Sequence, residues 1–395
     1  MASIREKNGS WEYIISAGKD PVTKKYNKIT KSGFRTKTAA KEEARRIEEE
    51  LKQGTYVKES KMTFGDFVKQ WIAHYEKRAK VSSVRARSIA SKRLLDEWEH
   101  YPISSITHLM YQQRIDELST QFSRNYIDSI HSTGRMIFNH AEKLVLIKHN
   151  PTKHFEKPRM ITDEVTEKVK EVKNFFDSVE LTEFLLLAKN KGLRGDLVIF
   201  ATLAYSGLRI GELLALKKSD INFKTNEISV TKTYYNSRNN KKEFTLLTPK
   251  TKGSIRVVEI DPFVIGLIKG HIKQLKEEKL KNRKIYHDEG FLFVDVEGYP
   301  MPIKMIAVRL QRLMKIMNMG KDEEKRKHIT PHSFRHTNIS LLIEANIPIG
   351  EIQRRAGHTD INTTMNIYTH MTQQTKDKSA SLFSSHLSSL TAKLQ

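Results

Sequence analysis

The 395-residue chain has no cysteine. That absence excludes disulfide frameworks, thiolate zinc centres, iron–sulfur clusters and cysteine nucleophiles. Long apolar runs are missing as well: the longest mostly apolar stretch, Leu197 to Tyr205, falls far short of the ~20 residues that span a bilayer. Met1 to Lys19 is polar at its start and has no apolar h-region, so no secretory signal is expected. Acids are scarce relative to bases, with 46 Asp+Glu against 69 Lys+Arg and a formal charge of +23. No internal repeat or low-complexity tract is present. The length accommodates two or three domains at roughly 150 residues each. With 38% hydrophobic and 29% charged residues, the composition is that of a globular chain. A cytoplasmic protein with a polyanionic partner and no membrane contact is expected.

The basic surplus begins early, since residues 1 to 41 carry ten Lys/Arg and three acids. Trp11, Tyr13 and Ile15 share one face at strand spacing, although Ile14 breaks the alternation. Asp20-Pro21 marks a turn, Lys28 to Lys31 reads as a second strand and Gly33 to Thr36 as a third. Thr38 is the expected N-cap of a helix over Ala39–Gln53, closed by Gly54. Residues 1–58 therefore read as a small α+β domain, a three-stranded sheet plus a helix. Over 62–153, Phe64, Phe67, Trp71 and Tyr75 recur at helical spacing, as do Ile115, Leu118, Tyr126, Ile130, Ile137 and Phe138. That pattern predicts an all-α bundle whose basic faces carry Arg85, Arg87 and Lys92. Asn150-Pro151 is expected to end its last helix. Residues 154–173 read as a linker. The remainder, 174–395, reads as a mainly helical unit with a strand-rich stretch from Ile221 to Ile260. Asn236 to Lys242 is a polar hairpin loop within it, and Leu382, Phe383, Leu387 and Leu390 lie on a tail helix.

Four segments of this last unit carry chemistry-bearing side chains. In Tyr205-Ser206-Gly207-Leu208-Arg209-Ile210-Gly211-Glu212, Gly207 permits a tight turn, Arg209 opens a helix, and Glu212 lies three residues on, placed to orient the guanidinium. In Thr248-Pro249-Lys250-Thr251-Lys252-Gly253-Ser254-Ile255-Arg256-Val257, a hairpin tip presents lysines, and Ile255, Val257 and Ile260 read as the following strand. In Thr330-Pro331-His332-Ser333-Phe334-Arg335-His336, Thr330 is the expected N-cap with Pro331 at the first helical position. His332 and Arg335 then share a face near the anion-binding end of the dipole. His332 and His336 lack the intervening glutamate of an HExxH zinc motif, and no metal is expected. In the fourth segment a helix from Pro348 stops at Gly357, His358 follows, and Tyr368 sits on a short helix capped by Asn362 or Thr363. Taken singly, each segment also fits an ordinary surface ion pair, a basic turn or a core tyrosine.

In this order, Arg209, a hairpin lysine, His332-x-x-Arg335, Gly357-His358 and Tyr368 resemble the tyrosine recombinase (phage integrase) family. The layout resembles the three-domain integrases of phages and conjugative transposons of Gram-positive bacteria. Ala356 stands where that family usually has leucine, and Tyr368 lies ten residues after His358 where some members have nine. The resemblance implies a small arm-binding domain, a SAM-like core-binding bundle, and a mainly α catalytic domain with a small antiparallel sheet. It implies Tyr368 as nucleophile, Arg209 and Arg335 as a phosphate clamp, His358 as a further donor and His332 as base. Glu212 is the support, and Lys250 is the general acid, with Lys252 as the alternative. The reaction implied is site-specific cutting and rejoining of double-stranded DNA through a 3′-phosphotyrosyl intermediate and a Holliday junction, integrating and excising a mobile element without cofactor. The implied partners are core and arm attachment sites, a homotetramer on DNA, an excisionase and a host DNA-bending protein. DNA contacts are expected from Lys24, Lys25, Lys28, Arg35, Arg85, Arg87, Lys92, Lys252 and Arg256. Two other functions stay open on the sequence: relaxation of DNA by a type IB topoisomerase-like reaction, and non-enzymatic regulation by DNA binding.

Overall fold

The computed structural model describes residues 2–19, 26–53, 56, 61–158, 174–249, 254–357 and 365. The expected turn at Asp20-Pro21, the stop at Gly54, most of the linker, and the tail helix lie outside the described residues. The chain divides into two compact units, 1–165 and 166–395.

The first unit opens with an antiparallel sheet of strands β1 (Ser3–Lys7), β2 (Ser10–Lys19) and β3 (Tyr26–Phe34), in that order, followed by helix α1 (Lys37–Lys52). Three strands were expected, but their division differs. Asn8 and Gly9, with φ of 53° and 71°, form a two-residue turn that joins β2 to a preceding strand the hydrophobic pattern does not reveal. Ser3–Lys7 is mostly exposed and polar, so it carries no alternation to read. The expected second and third strands are one strand. Trp11 faces Phe34 while Tyr13 faces Lys31, so β3 holds an extra residue beside Gly33, whose φ is 95°. Tyr13 and Ile15 pack on Ala44 and Ile47 of α1. The cap of α1 is Thr36, not Thr38: Thr36 is still extended, and its hydroxyl accepts the Ala39 N–H at 3.2 Å.

Helices α2 (Phe64–Glu76), α3 (Val81–Trp98), α4 (His108–Gln121) and α5 (Arg124–Lys143) form the bundle. Thr63 caps α2 through the Asp66 N–H at 3.1 Å. Phe64, Phe67, Trp71, Ile115, Leu118, Ile130, Ile137 and Phe138 are buried together, with Tyr75 and Tyr126 at the margin. Asn150-Pro151 does not end α5. The helix closes at Leu144, where Val145 takes a φ of 57° and the Leu146 N–H reaches back to the Ala141 carbonyl at 3.0 Å, drawing Leu146 and Ile147 onto the core. Asn150 is buried instead, donating to Asn139 at 2.7 Å and accepting the Thr152 N–H at 2.9 Å.

The second unit contains α6 (Ser178–Lys191), α7 (Asp196–Ser206), the five-residue α8 (Ile210–Leu214), α9 (Pro262–Lys281), α10 (Ile303–Met317), α11 (Ser333–Glu344) and α12 (Ile349–Ala356). Strands β4 (Ile221–Asn222), β5 (Glu227–Val230) and β8 (Arg256–Glu259) form one antiparallel sheet. Between β5 and β8 lies the hairpin of β6 (Thr233–Tyr235) and β7 (Thr245–Leu247), joined by the polar loop expected there. Asp177 and Glu180 close a reciprocal capping box on α6. Helix α7 is apolar on all sides because it runs through the core. Phe176, Phe184, Phe200 and Phe334 form its ring cluster, with centroids 5.0–5.8 Å apart. Phe334 thereby locks the first turn of α11 against α7. No described helix is long and apolar enough to cross a membrane.

Phe334→Ala removes the shared partner of this cluster. It is expected to destabilise the unit by about 3–5 kcal/mol, seen as a lower denaturant midpoint.

Candidate active site

Two helix C-termini converge here. Helix α7 ends at Gly207, which has a φ of 63°, and a Cβ there would lie 2.6 Å from Asn338 Oδ1. Only glycine fits both demands. The chain then extends through buried Leu208 and Arg209, and α8 begins. Glu212, one turn into α8, is 3% exposed. Its carboxylate accepts the Arg209 backbone N–H at 3.0 Å and the Arg209 guanidinium at 2.8 Å, as the i,i+3 spacing predicts.

Strand β8 faces the opposite way from expectation. Ile255 and Val257 are exposed, while Arg256 and Val258 point inward. Arg256, expected to contact DNA, is withdrawn into the protein. Its two terminal nitrogens donate to Glu212 at 3.0 and 3.4 Å, one also to the Ser254 carbonyl at 3.2 Å, and its Nε to the Arg355 carbonyl at 2.7 Å. The parity of the strand carried the signal: Ile260 is buried and shares a face with 256 and 258, not with 255 and 257.

Helix α11 starts later than expected. Thr330 and Pro331 form the preceding turn, His332 occupies the cap position, and the Thr330 N–H donates to Ser333 Oγ at 3.1 Å. Arg335 is 1% exposed. It donates to the Gly207 carbonyl at 2.9 Å and to the Ala356 carbonyl. Helix α12 ends at Gly357, with a φ of 64°, and Arg209 reaches the Gly357 carbonyl at 3.4 Å. A Cβ on Gly357 would sit 3.2 Å from the Arg256 side chain.

Two guanidinium groups thus bond one carboxylate, and a third, Arg335, lies near enough to feel its charge. Burial alone would raise the Glu212 pKa, but hydrogen bonding and charge from Arg256, then Arg209, hold it below its ordinary 4.5. Arg335 is pushed down to about 9 by burial, then by Arg209 and Arg256 against the opposing pull of Glu212. It stays charged at neutral pH. His332 stands exposed at the rim, and its pKa is lowered by neighbouring protein that displaces water, then by Arg335 and Arg209, so the neutral imidazole dominates near pH 7. His336 is pushed down to about 4 by burial, then by His332 and Arg335. Its ring meets that of His332 edge-on at 5.0 Å.

The structure therefore brings together Arg209, Glu212 and Arg335, with His332 beside them, and adds Arg256 and Asn338. The amide of Asn338 donates to the Ala204 carbonyl at 2.8 Å. Lys250, Lys252, His358 and Tyr368 lie outside the described residues, as do Lys24 and Lys25. Of the other expected DNA contacts, Lys28, Arg35, Arg85 and Lys92 are exposed, whereas Arg87 is partly buried and donates to Thr133 at 3.1 Å.

Residues 168–375 match the phage integrase family, 3–51 an arm DNA-binding domain and 63–119 a phage integrase N-terminal SAM-like domain. The chain belongs to the phage integrase family. It is 27% identical to the prophage ps2 probable integrase of Lactococcus lactis, over 93% of this chain and 95% of that one. It is 28% identical to the integrase of Staphylococcus phage L54a, over 83% and 96%. The Tn1549 transposon integrase in complex with a circular intermediate DNA shares the fold at a TM-score of 0.65 and 24% identity, over 78% of this chain and 95% of that one. The protein is a tyrosine-type, site-specific DNA recombinase, and the guanidinium cluster lies within the matched catalytic region.

A carboxyl titrating below 4.5 stabilises the fold when ionised, and that contribution fades as pH falls through the lowered value. Glu212→Gln is expected to cost about 2–3 kcal/mol at neutral pH. Its deficit against the unaltered protein should shrink in urea titrations carried below about pH 4.

Proposed function

We propose that this recombinase integrates and excises a mobile element by cutting and rejoining DNA through a 3′-phosphotyrosyl ester on Tyr368. The observation that carries this reading is the surplus of guanidinium charge around Glu212, a preorganised site for a phosphate in which Arg209 and Arg335 meet at the Gly357 turn. His358 follows that turn directly in sequence.

In the proposed step the Tyr368 phenol passes its proton to neutral His332, and its oxygen forms a bond to phosphorus in line with the departing 5′-oxygen. The P–O5′ bond breaks, and Lys250, or Lys252 in its place, protonates the 5′-oxygen. Arg209, Arg335 and His358 hold the nonbridging oxygens. The ester conserves the phosphodiester energy, so a 5′-hydroxyl from the partner strand later displaces tyrosine with little net change in free energy. Two rounds of this exchange pass through a Holliday junction and reciprocally join two duplexes.

The rest of the chain fits a targeting role. On this proposal residues 1–58 are an arm-site domain, 62–153 a core-site domain, 154–173 a linker and 174–395 the catalytic domain with its tail. The exposed Lys28 and Arg35, and Arg85 and Lys92 on α3, would neutralise phosphates of the two kinds of site. A homotetramer on two core sites, with an excisionase and a DNA-bending protein setting direction, completes the proposal.

Sequencing the junctions formed when the protein is expressed beside the element's ends tests the function. Precise reciprocal joints are expected, and their absence overturns it. Tyr368→Phe should bind the recovered junction DNA normally yet form no denaturant-resistant adduct. Lys250→Ala should slow cleavage by roughly 10²–10⁴-fold. A 5′-bridging phosphorothiolate, whose leaving group needs no proton, should restore most of that rate; restoration in Lys252→Ala alone would move the acid role to Lys252.

A further inference from the structure

We infer that Arg256 is a positioning residue for strand cleavage, acting through Glu212 on Arg209 and through the end of α12 on the Gly357 turn. The inference rests on the phosphotyrosyl reading above. Arg256, expected to contact DNA, is 8% exposed. Yet each of its three guanidinium nitrogens has an acceptor, and those acceptors belong to three separate pieces of the site. Glu212 lies on α8, Ser254 lies two residues after Lys252 in sequence, and the Arg355 carbonyl lies two residues before Gly357. The pair with Glu212 spans 44 residues of chain and the contact with Arg355 spans 99, so neither is local helix chemistry.

Geometry makes Glu212 the relay. One oxygen takes the Arg209 guanidinium and the other the Arg209 backbone N–H, while both take Arg256. Among the described residues, removing Arg256 leaves the carboxylate anchored by Arg209 alone, free to turn with it. At the other end, the Arg256 side chain lies 3.2 Å from where a Cβ on Gly357 would sit, tighter than an ordinary contact. A planar fork suits this task, since an ammonium cannot direct separate N–H groups to a carboxylate and two carbonyls.

The test measures single-turnover adduct formation at saturating protein on a nicked duplex of the recovered junction sequence, together with affinity for the same duplex. Arg256→Met is expected to slow adduct formation about 10²-fold while affinity stays within about twofold. Arg256→Lys, which keeps a charge against Glu212, should recover about tenfold of that loss. Combining Arg256→Met with Glu212→Gln should be about as slow as the slower single variant, because both act through one carboxylate. A thermal melt checks folding; if Arg256→Met is unfolded, Arg256→Lys and its combination with Glu212→Gln carry the same cycle. Unaltered rates, losses that multiply, or a deficit lying wholly in affinity each overturn the inference. Adduct formed by Tyr368→Phe would instead overturn the reading beneath it, so the two failures are distinct.

Discussion

A buried guanidinium is tolerable only when its nitrogens find acceptors; Arg309 pairs with buried Asp196 elsewhere in the catalytic unit, and the two buried at the site are Arg256 and Arg335. Their acceptors come largely from the ends of helices. The Gly207 carbonyl closes α7, and the Arg355, Ala356 and Gly357 carbonyls close α12. These are groups that a helix leaves without intrahelical partners, at the negative end of its dipole. Two C-termini pointed at one spot create a cradle for cations, and three arginines fill it. The recombinase thus solves one problem with the other: orphan carbonyls hold the arginines, and the arginines satisfy the carbonyls.

This constraint explains why the turns matter more than the helices. Gly207 and Gly357 both have positive φ, and both lie close against a side chain, Asn338 in one case and Arg256 in the other. A side chain at either position would move a carbonyl that an arginine depends on. Phe334 supplies the third fixed point, since its packing against Phe184 and Phe200 sets the depth at which Arg335 enters the site. Packing, turn geometry and charge placement are therefore one arrangement around Arg209 and Arg335.

Much of this was legible in the residues. The i,i+3 step from Arg209 to Glu212, the stop at Gly357 and the aromatic periodicity of α2 each express a local rule that the tertiary structure obeys. The misreadings have a common cause in rules that compete. Gly33 reads as a strand break, but glycine also permits a bulge, and β3 uses it so. Thr36 and Thr38 are equally good caps by type, and only the point at which the backbone ceases to be extended decides between them. Ile255 and Val257 are apolar, yet a charged residue took the inward face because Glu212 waited there. That last choice depends on a partner 44 residues away, which no window of local pattern contains.

The charge count bears on the chemistry. Arg209, Arg256 and Arg335 against Glu212 leave a formal surplus of two positive charges, with His332 neutral near pH 7. A phosphodiester in the site brings one negative charge and offsets half of that surplus. On the proposed chemistry, attack by the tyrosine oxygen after loss of its proton creates a phosphorane bearing two. With that proton passed to His332, three positive charges face the phosphorane's two, so the opposed charge grows from ground state to transition state, which is the condition for accelerating a step instead of merely binding its substrate. Arg256 shares in this balance through Glu212. By neutralising Glu212 from within, it leaves the charge of Arg209 directed outward, toward the place where the second negative charge develops.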